Sequence, residues 1–191
     1  ELQYIHTGLV SALLIAADRV DMVIGGCGTG QGYMNSVMQY RGVVCGHLLT
    51  PLDAFLFARI NAGNVVALAL NQGWGWAGDV NLRMLFDQLF TDDRAGGFPP
   101  HRADPQAASR DLLKTVGEAS HRCMAGTIKR LPEELLIPAI THPAAAAALG
   151  FMPGKNEAVL AALKQATRDS VPRVRHEASI AMAKIKGSFK N

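Results

Sequence analysis

The sequence predicts an α/β fold in three layers, with an open parallel sheet covered by helices on both faces and a helical extension at its carboxyl end. Two observations predict it. Short β-branched runs bounded by glycine alternate with amphipathic helical patterns through short loops, as in open parallel sheets. After a turn-rich stretch at residues 95–106, strand patterns no longer occur and only helical patterns follow.

The elements alternate in chain order. Helical patterns occupy residues 5–18, 33–40, 51–63 and 77–90, and the third of them begins at a proline and ends at a glycine. Strand patterns occupy residues 20–26, 42–48 and 64–70 and are short and mostly apolar, as in buried parallel strands. The alternation predicts a Rossmann-like sheet. Because such sheets usually have about four to six strands, we expect a further strand–helix unit before residue 1.

The carboxyl-terminal part is predicted to form a separate unit. We divide the chain into an α/β domain at residues 1–103 and a helical extension at residues 104–191. The last two helical patterns, at residues 156–169 and 172–185, resemble one HEAT-type hairpin. Stacked repeats need neighbours and no second copy is visible, so a two-helix tail is the preferred interpretation.

Composition and charge exclude several classes of protein. Hydrophobic residues make up 49% and charged residues 18%, and no apolar run reaches the roughly 20 residues of a membrane span. The net charge of +3 comes from scattered basic residues, so we expect a small anionic ligand and no nucleic-acid or membrane partner. Three widely spaced cysteines, Cys27, Cys45 and Cys123, predict neither a disulfide framework nor a metal site, and with no signal peptide visible we expect a cytoplasmic protein.

The first strand pattern leads directly into a glycine-rich loop, Cys27-Gly28-Thr29-Gly30-Gln31-Gly32. Ligands of open α/β sheets bind at the carboxyl ends of strands, where glycines let backbone N–H groups approach an anion. The glycine spacing is neither a dinucleotide fingerprint nor a Walker loop. A thiol beside a helix N-terminus has a lowered pKa, so Cys27 is a candidate base or nucleophile. The alternative is a small buried residue at a strand end.

Three segments, VDMVIGGCGTGQG, RGVVCG and NAGNVVALA, resemble in order and spacing the type B ribose-5-phosphate isomerase and galactose-6-phosphate isomerase family, over about residues 1–110. The resemblance implies an aldose–ketose isomerase of a phosphorylated pentose or hexose, without metal or organic cofactor. It implies that Cys27 moves a proton between C1 and C2 through a cis-enediolate, which the N–H groups of Gly28, Gly30 and Gly32 stabilise. It also implies a homodimer with the site between subunits.

The resemblance nominates further site residues. Thr29 is expected to assist ring opening, or alternatively to cap the loop. Asn61 is expected to steady the enediolate, although asparagine is also a common turn residue, as is Asn64. Tyr4 and His6 stand 23 and 21 residues before Cys27, where family members carry residues that line the substrate. Without that spacing, both are ordinary helix-start residues.

The chain also departs from the family pattern. The resemblance implies that Arg102 recognises the phosphate, and Arg110 is the next match. The ring-opening histidine that precedes the asparagine in family members is Ile60 here. His47 or Asp53 is a candidate replacement, with a surface position the preferred interpretation of His47.

A divergent branch of the family, with a helical extension and a GWGW-like segment, is similar to this chain at residues 73–76. Trp74 and Trp76 are either sugar-stacking or packing residues. Two other functions remain open. One is a non-catalytic sugar-phosphate binding or regulatory protein that has lost ring opening. The other is a Cys27-dependent thiol enzyme, which ranks last because no spacing nominates a partner base.

Overall fold

The computed structural model describes residues 2–73 and 75–150 of the chain. Within these residues three strands are formed: β1 (Val23–Cys27), β2 (Cys45–His47) and β3 (Val65–Ala69). Four helices surround them: α1 (Tyr4–Ala16), α2 (Gln31–Val37), α3 (Pro51–Leu56) and α4 (Gly78–Leu89). Four more follow: α5 (Ala103–Ser120), α6 (Met124–Ile128), α7 (Glu133–Thr141) and α8 (Pro143–Gly150). None of these helices is both long and apolar enough to cross a membrane.

The strands form one parallel sheet in the order β1-β3-β2. All five residues of the central strand β3 are buried, whereas β1 and β2 are only partly buried. A parallel strand covered on both faces needs apolar residues at every position, which explains the unbroken run in β3. The register pairs Cys27 with Ala69 at the carboxyl end of the sheet and Val23 with Val65 at the amino end.

Successive residues of β3 enter two different cores, because side chains alternate across a strand. Val65 and Ala67 belong to one core, and Val66 and Leu68 belong to the other. The first core also contains buried residues of α1, α2 and α7, namely Leu9, Leu13, Val37, Leu136, Ala139 and Ile140. The second contains residues that lead from α3 to α4, namely Ala54, Phe57, Leu85 and Leu89. The predicted three-layer arrangement is therefore confirmed.

Two elements differ from their predicted extents. The strand predicted over residues 42–48 is only three residues long, because a side chain replaces the ladder before it. The Asn64 side chain accepts a hydrogen bond from the Val44 N–H (2.9 Å) and donates one to the Gly42 carbonyl (2.8 Å). The helix predicted over residues 51–63 is α-helical to Leu56, continues as a π-helical segment over Phe57–Asn61, and ends in left-handed backbone at Ala62.

Beyond α4 the described chain is helical, as predicted. Helix α5 (Ala103–Ser120) begins directly after a 3-10 turn at Pro100–Arg102. The Gln106 side chain fixes the segment that leads into α5, because it accepts a hydrogen bond from the Phe98 N–H (2.9 Å) and donates one to the Phe98 carbonyl (2.7 Å). Helix α7 packs on α1. The HEAT-like pair at residues 156–185 lies outside the described residues, and the boundary at residue 103 stays a prediction.

Candidate active site

The glycine-rich loop connects the end of β1 to the start of α2 and is anchored to the end of β3. Cys27 is the last residue of β1, and Gly30 precedes α2 with left-handed backbone (φ 75°). The Cys27 carbonyl accepts hydrogen bonds from the Gly30 N–H (3.1 Å) and the Leu70 N–H (2.8 Å). The Gly28 carbonyl accepts one from the Asn71 N–H (2.9 Å). These bonds fix the loop at the carboxyl end of the sheet, where ligands of such sheets bind.

Each of the three loop glycines faces a different side chain. A Cβ atom at Gly28 would lie 2.9 Å from Nδ2 of Asn71, and one at Gly30 would lie 2.5 Å from Nε2 of His47. At Gly32 it would lie 3.4 Å from the ring of Tyr4. The structure thus surrounds the loop with an amide, an imidazole and a phenol.

The environment of Cys27 favours its thiolate form. Burial raises the pKa of the Cys27 thiol, but hydrogen bonds from the N–H groups of Tyr33, Thr29 and Gly30 lower it, as does the Thr29 hydroxyl. The net result is a pKa below the ordinary thiol value. Hydrogen bonds to the charged form of a group favour that form. Cys45 contrasts with Cys27, because burial raises its pKa to about 12 and keeps it a neutral thiol.

Two further predicted residues, Thr29 and Tyr4, lie at or against the loop. Thr29 is part of it and donates to the Cys27 sulfur. Tyr4 is the first residue of α1, is about half exposed (47%) and rests its ring against Gly32. His6 has a structural contact instead, because its Nδ1 accepts the Gln3 N–H (3.0 Å) in a capping box at the start of α1.

Asn61 and Arg102 are not brought to the loop within one chain. Asn61 lies four residues before Val65, the first residue of β3, and hence at the amino end of the sheet. At about 3.3 Å per residue, the five-residue strand separates that end from Cys27 by about 13 Å. Arg102 ends the 3-10 turn before α5. In the described ranges, neither residue makes a hydrogen bond or ion pair with the loop.

Several arginines surround Asn61 at the amino end of the sheet. Arg110 donates to the carbonyls of Ile60 (2.8 Å) and Ala95 (3.2 Å), so its guanidinium holds α5 against the π-helical segment. Arg94 donates to the Gly63 carbonyl, and burial lowers its pKa. Arg59 pairs with Asp93. This end of the sheet is cationic, unlike the surroundings of Cys27.

The two candidate replacements for a ring-opening histidine differ in availability. Asp53 caps α3, where one carboxylate oxygen accepts from the N–H groups of Leu49 (3.0 Å) and Thr50 (2.9 Å). His47 ends β2, and its Nε2 is buried without a hydrogen-bond partner among the described residues. His47 as a whole is partly buried, whereas the sequence favoured a surface position. Trp76 is fully exposed, and Trp74 lies outside the described residues.

Sequence reasoning missed one residue at the loop. Asn71 follows β3, donates its backbone N–H to Gly28 and directs its exposed side-chain amide against the same glycine. The rule that ligands gather at the carboxyl ends of adjacent strands points to this residue, because β3 is the neighbour of β1. Within residues 2–73 and 75–150, no cluster of three or more His, Cys, Asp or Glu side chains is arranged to hold a metal ion.

Comparison with known proteins indicates the family of this chain. The family model described as Ribose/Galactose Isomerase matches residues 1–84. A solved 4-deoxy-L-threo-5-hexosulose-uronate ketol-isomerase, complexed with a tartrate, is 33% identical, with a TM-score of 0.80 over 86% of this chain and 77% of that chain. A ribose-5-phosphate isomerase from Vibrio parahaemolyticus is 34% identical, with a TM-score of 0.71 over 95% of this chain and 78% of that chain. No curated protein matches the chain.

The fold, the cysteine-containing loop and these relatives define the class of protein as a sugar isomerase, an enzyme that interconverts aldoses and ketoses. Within that class, the chain belongs to the ribose/galactose isomerase family.

Proposed function

We propose that the chain isomerises an anionic aldose to the corresponding ketose, with the Cys27 thiolate as the base that moves the proton. The observation that carries the proposal is the set of hydrogen bonds on the Cys27 sulfur. Three backbone N–H groups and one hydroxyl converge on it and lower its pKa. A base works best when its pKa lies near the working pH, and an ordinary thiol titrates somewhat above neutrality.

The proposed step is a proton transfer through a cis-enediolate. The thiolate removes the proton from C2 of the open-chain aldose, the C–H electron pair forms the C1=C2 bond, and the carbonyl π pair moves to O1. The Cys27 thiol then donates a proton to C1, while O2 gives up its hydroxyl proton and becomes the carbonyl of the ketose, and O1 takes up a proton and becomes a hydroxyl. Cys27 takes one proton and returns one, and the proton lost by O2 balances the proton gained by O1, so no external oxidant or reductant is needed.

Backbone donors of the loop are proposed to stabilise the enediolate oxygens. The N–H groups of Gly28, Gly30 and Gly32 lie in this loop. Hydrogen bonds between the loop and the residues that follow β3 fix its position before substrate binds. Donors preorganised around developing negative charge are among the largest contributions to catalysis. The Thr29 hydroxyl and the Tyr4 ring are proposed to contact the sugar from either side of this loop.

A second subunit is proposed to complete the site. Asn61 and Arg102 lie away from Cys27 within one chain, so they can act on the substrate only if another copy supplies them. The surface around Asn61 is suited to receive such a copy, because a groove of about 510 Å³ runs between α5 and the start of β2. Helix α5 buries none of its residues, and Leu113 and Val116 in this groove are more than half exposed. We therefore propose a homodimer with the site between its subunits.

The anionic group of the substrate is proposed to be a phosphate on a pentose or hexose. A carboxylate is the second candidate, and a specific observation favours it. The side chains against the three loop glycines are Asn71, His47 and Tyr4, none of which is a lysine or arginine. A relative that is 33% identical is named for a hexosulose uronate, a sugar acid. A singly charged carboxylate needs fewer cationic partners than a phosphate, which carries close to two charges at neutral pH.

The competing proposal is a binding or regulatory protein that has lost catalysis. It is motivated by Ile60, which stands where the ring-opening histidine is expected. A binding protein of this kind would hold a sugar phosphate without exchanging the C2 proton with solvent. A thiol enzyme would instead form a covalent intermediate on Cys27.

The experiment is an isomerisation assay over ribose 5-phosphate, hexose 6-phosphates and 4-deoxy-L-threo-5-hexosulose uronate, with the wild type, Cys27→Ala and Cys123→Ala. Cys123 is an exposed thiol distant in sequence from the loop and serves as the matched control. General-base removal typically costs about 10²–10⁴-fold in rate, so we expect that loss in Cys27→Ala and none in Cys123→Ala. Equal activity of Cys27→Ala and wild type contradicts the proposed base. Tight ligand binding without turnover or solvent exchange supports the binding protein instead.

A further inference from the structure

We propose that His47 is a positioning residue for the catalytic loop, and that its imidazole holds Gly30 where the Gly30 N–H stabilises the Cys27 thiolate. The inference rests on the proposed role of Cys27. It assigns to His47 a function that acts through the backbone of the loop.

The sheet places His47 on the same face as Cys27. His47 pairs with Ala67 and Cys27 pairs with Ala69, two residues further along β3. Because side chains alternate along a strand, residues two apart share a face. Ala67 and Cys27 both pack into the core beneath α1 and α2, so the imidazole points to the side of the sheet on which the loop enters α2.

The ring meets the loop at Gly30. A Cβ atom at this position would lie 2.5 Å from Nε2 and 2.7 Å from Cδ2 of His47, and 3.1 Å from the carbonyl carbon of Leu68. Gly30 is thus held between the imidazole and the backbone of β3. Its N–H donates to the Cys27 carbonyl (3.1 Å) and also contributes to the hydrogen bonding of the sulfur. A shift of the ring therefore shifts a donor of the thiolate.

Packing alone does not account for a histidine here. The Nε2 atom is buried, and no partner accepts from it or donates to it in the described ranges. A buried polar atom without a partner is costly, so an apolar ring of similar size would fill the space at a lower cost in stability. Such unsatisfied atoms are retained where function uses them. Because Nε2 lies against Gly30, the function that retains this unpartnered nitrogen is assigned to the loop.

Among the thiols described on this face of the sheet, Cys27 is the one whose pKa is lowered. On the same face of the sheet, Cys45 remains a thiol because burial raises its pKa to about 12. On α2, burial raises the pKa of Tyr33, whose hydroxyl is 2.7 Å from that of Ser11. A thiolate titration of the folded protein lacking Cys123 therefore reports on Cys27.

The test compares three His47 variants in a Cys123→Ser background, by ultraviolet titration of the thiolate and by kcat and KM. His47→Gln places an amide nitrogen near the position of Nε2, His47→Asn places one near Nδ1, and His47→Phe keeps a ring without nitrogen. Displaced catalytic groups cost up to about a hundredfold in rate, so we expect kcat of His47→Phe to fall by about tenfold or more with KM little changed. The apparent Cys27 pKa should rise in the same variant. His47→Gln should stay close to wild type, and His47→Asn should resemble His47→Phe.

Two results overturn the proposal. One is a His47→Phe protein with the thiolate pKa and kcat of the wild type. The other is a Gln variant that is no better than the Asn variant, and this comparison decides the matter even if His47→Phe does not fold. The titration is independent of turnover. If Cys27→Ala retains full activity, the proposed base fails, while the effect of His47 on the thiolate is still measured.

Discussion

The side-chain amide of Asn71 lies against Gly28, directly after the proposed base, with Nδ2 2.9 Å from where a Cβ atom of that glycine would be. The amide is exposed, so it is available to a substrate oxygen bound at the loop. We predict that Asn71→Ala raises KM by about threefold to tenfold with little change in kcat, since one net hydrogen bond is worth about 0.5–1.5 kcal/mol. Steady-state kinetics on the preferred sugar measures this. Gln72→Ala, an exposed neighbour, is the control, and an equal effect in both variants removes Asn71 from the site.

The Thr29 hydroxyl contributes to the lowered pKa of Cys27, so its removal should move the thiolate titration upward. Below its pKa Cys27 carries a proton and cannot act as a base, so activity falls as pH decreases through that pKa. In Thr29→Val, we therefore expect this loss of activity to begin at a higher pH than in the wild type. Thr29→Ser keeps the hydroxyl and should keep the wild-type profile. Coincident pH–rate profiles for all three proteins contradict the assigned hydrogen bond.

Gly30 combines left-handed backbone with close contacts, and Gly42 separates these two effects. Gly42 has a similar φ (83° against 75°), but a Cβ atom there would meet nothing within 4 Å. The left-handed backbone costs a non-glycine residue about 1–2 kcal/mol, so Gly42→Ala should lose that amount in the free energy of unfolding. Gly30→Ala should lose more, because His47 and the backbone of β3 must also move. Denaturant unfolding measures both, and equal losses show that the contacts at Gly30 relax freely.

A site shared between subunits predicts complementation between two inactive variants. In a dimer of one Cys27→Ala subunit and one Asn61→Ala subunit, one site carries both changes and the other carries neither. Random pairing in a twofold dimer gives half mixed dimers, so co-expression should restore about a quarter of the wild-type activity. Activity no higher than that of either variant alone places Asn61 outside the partner's site. Size-exclusion chromatography with light scattering establishes the dimer independently.

The sequence was informative where local chemistry determines structure. The apolar run of β3 predicts a buried central strand, because a strand covered on both faces needs apolar residues. The glycines of the loop that begins at Cys27 predict a strand end that leads into a helix, because glycine permits the backbone conformations of such a turn. The spacing of Tyr4 from Cys27 also predicted a ring that the fold does bring to the loop. The proposed chemistry of Cys27 itself follows from its neighbours within six residues.

Contacts between distant segments were less accessible. His47 and Asn71 reach the loop because β2 and β3 end beside it. The strand patterns place both residues near strand ends, but their contacts with Gly30 and Gly28 depend on the strand order, which the sequence does not state. Arg110 was expected to bind phosphate, but in the fold it donates to two backbone carbonyls that are 15 and 50 residues away in sequence. Asn64 likewise uses its side chain to end β2 early, which a strand pattern does not show.

The central claim, that Cys27 carries the proton between C1 and C2, is tested most directly by isomerisation in deuterated water, with deuterium at the carbon measured by NMR. We predict deuterium in the product and in recovered substrate for the wild type and Cys123→Ala, because the protonated thiol exchanges with solvent before it returns its proton. Cys27→Ser should show neither turnover nor incorporation at a comparable rate. Incorporation by Cys27→Ser at the wild-type rate would contradict the claim, because another group would then be the base.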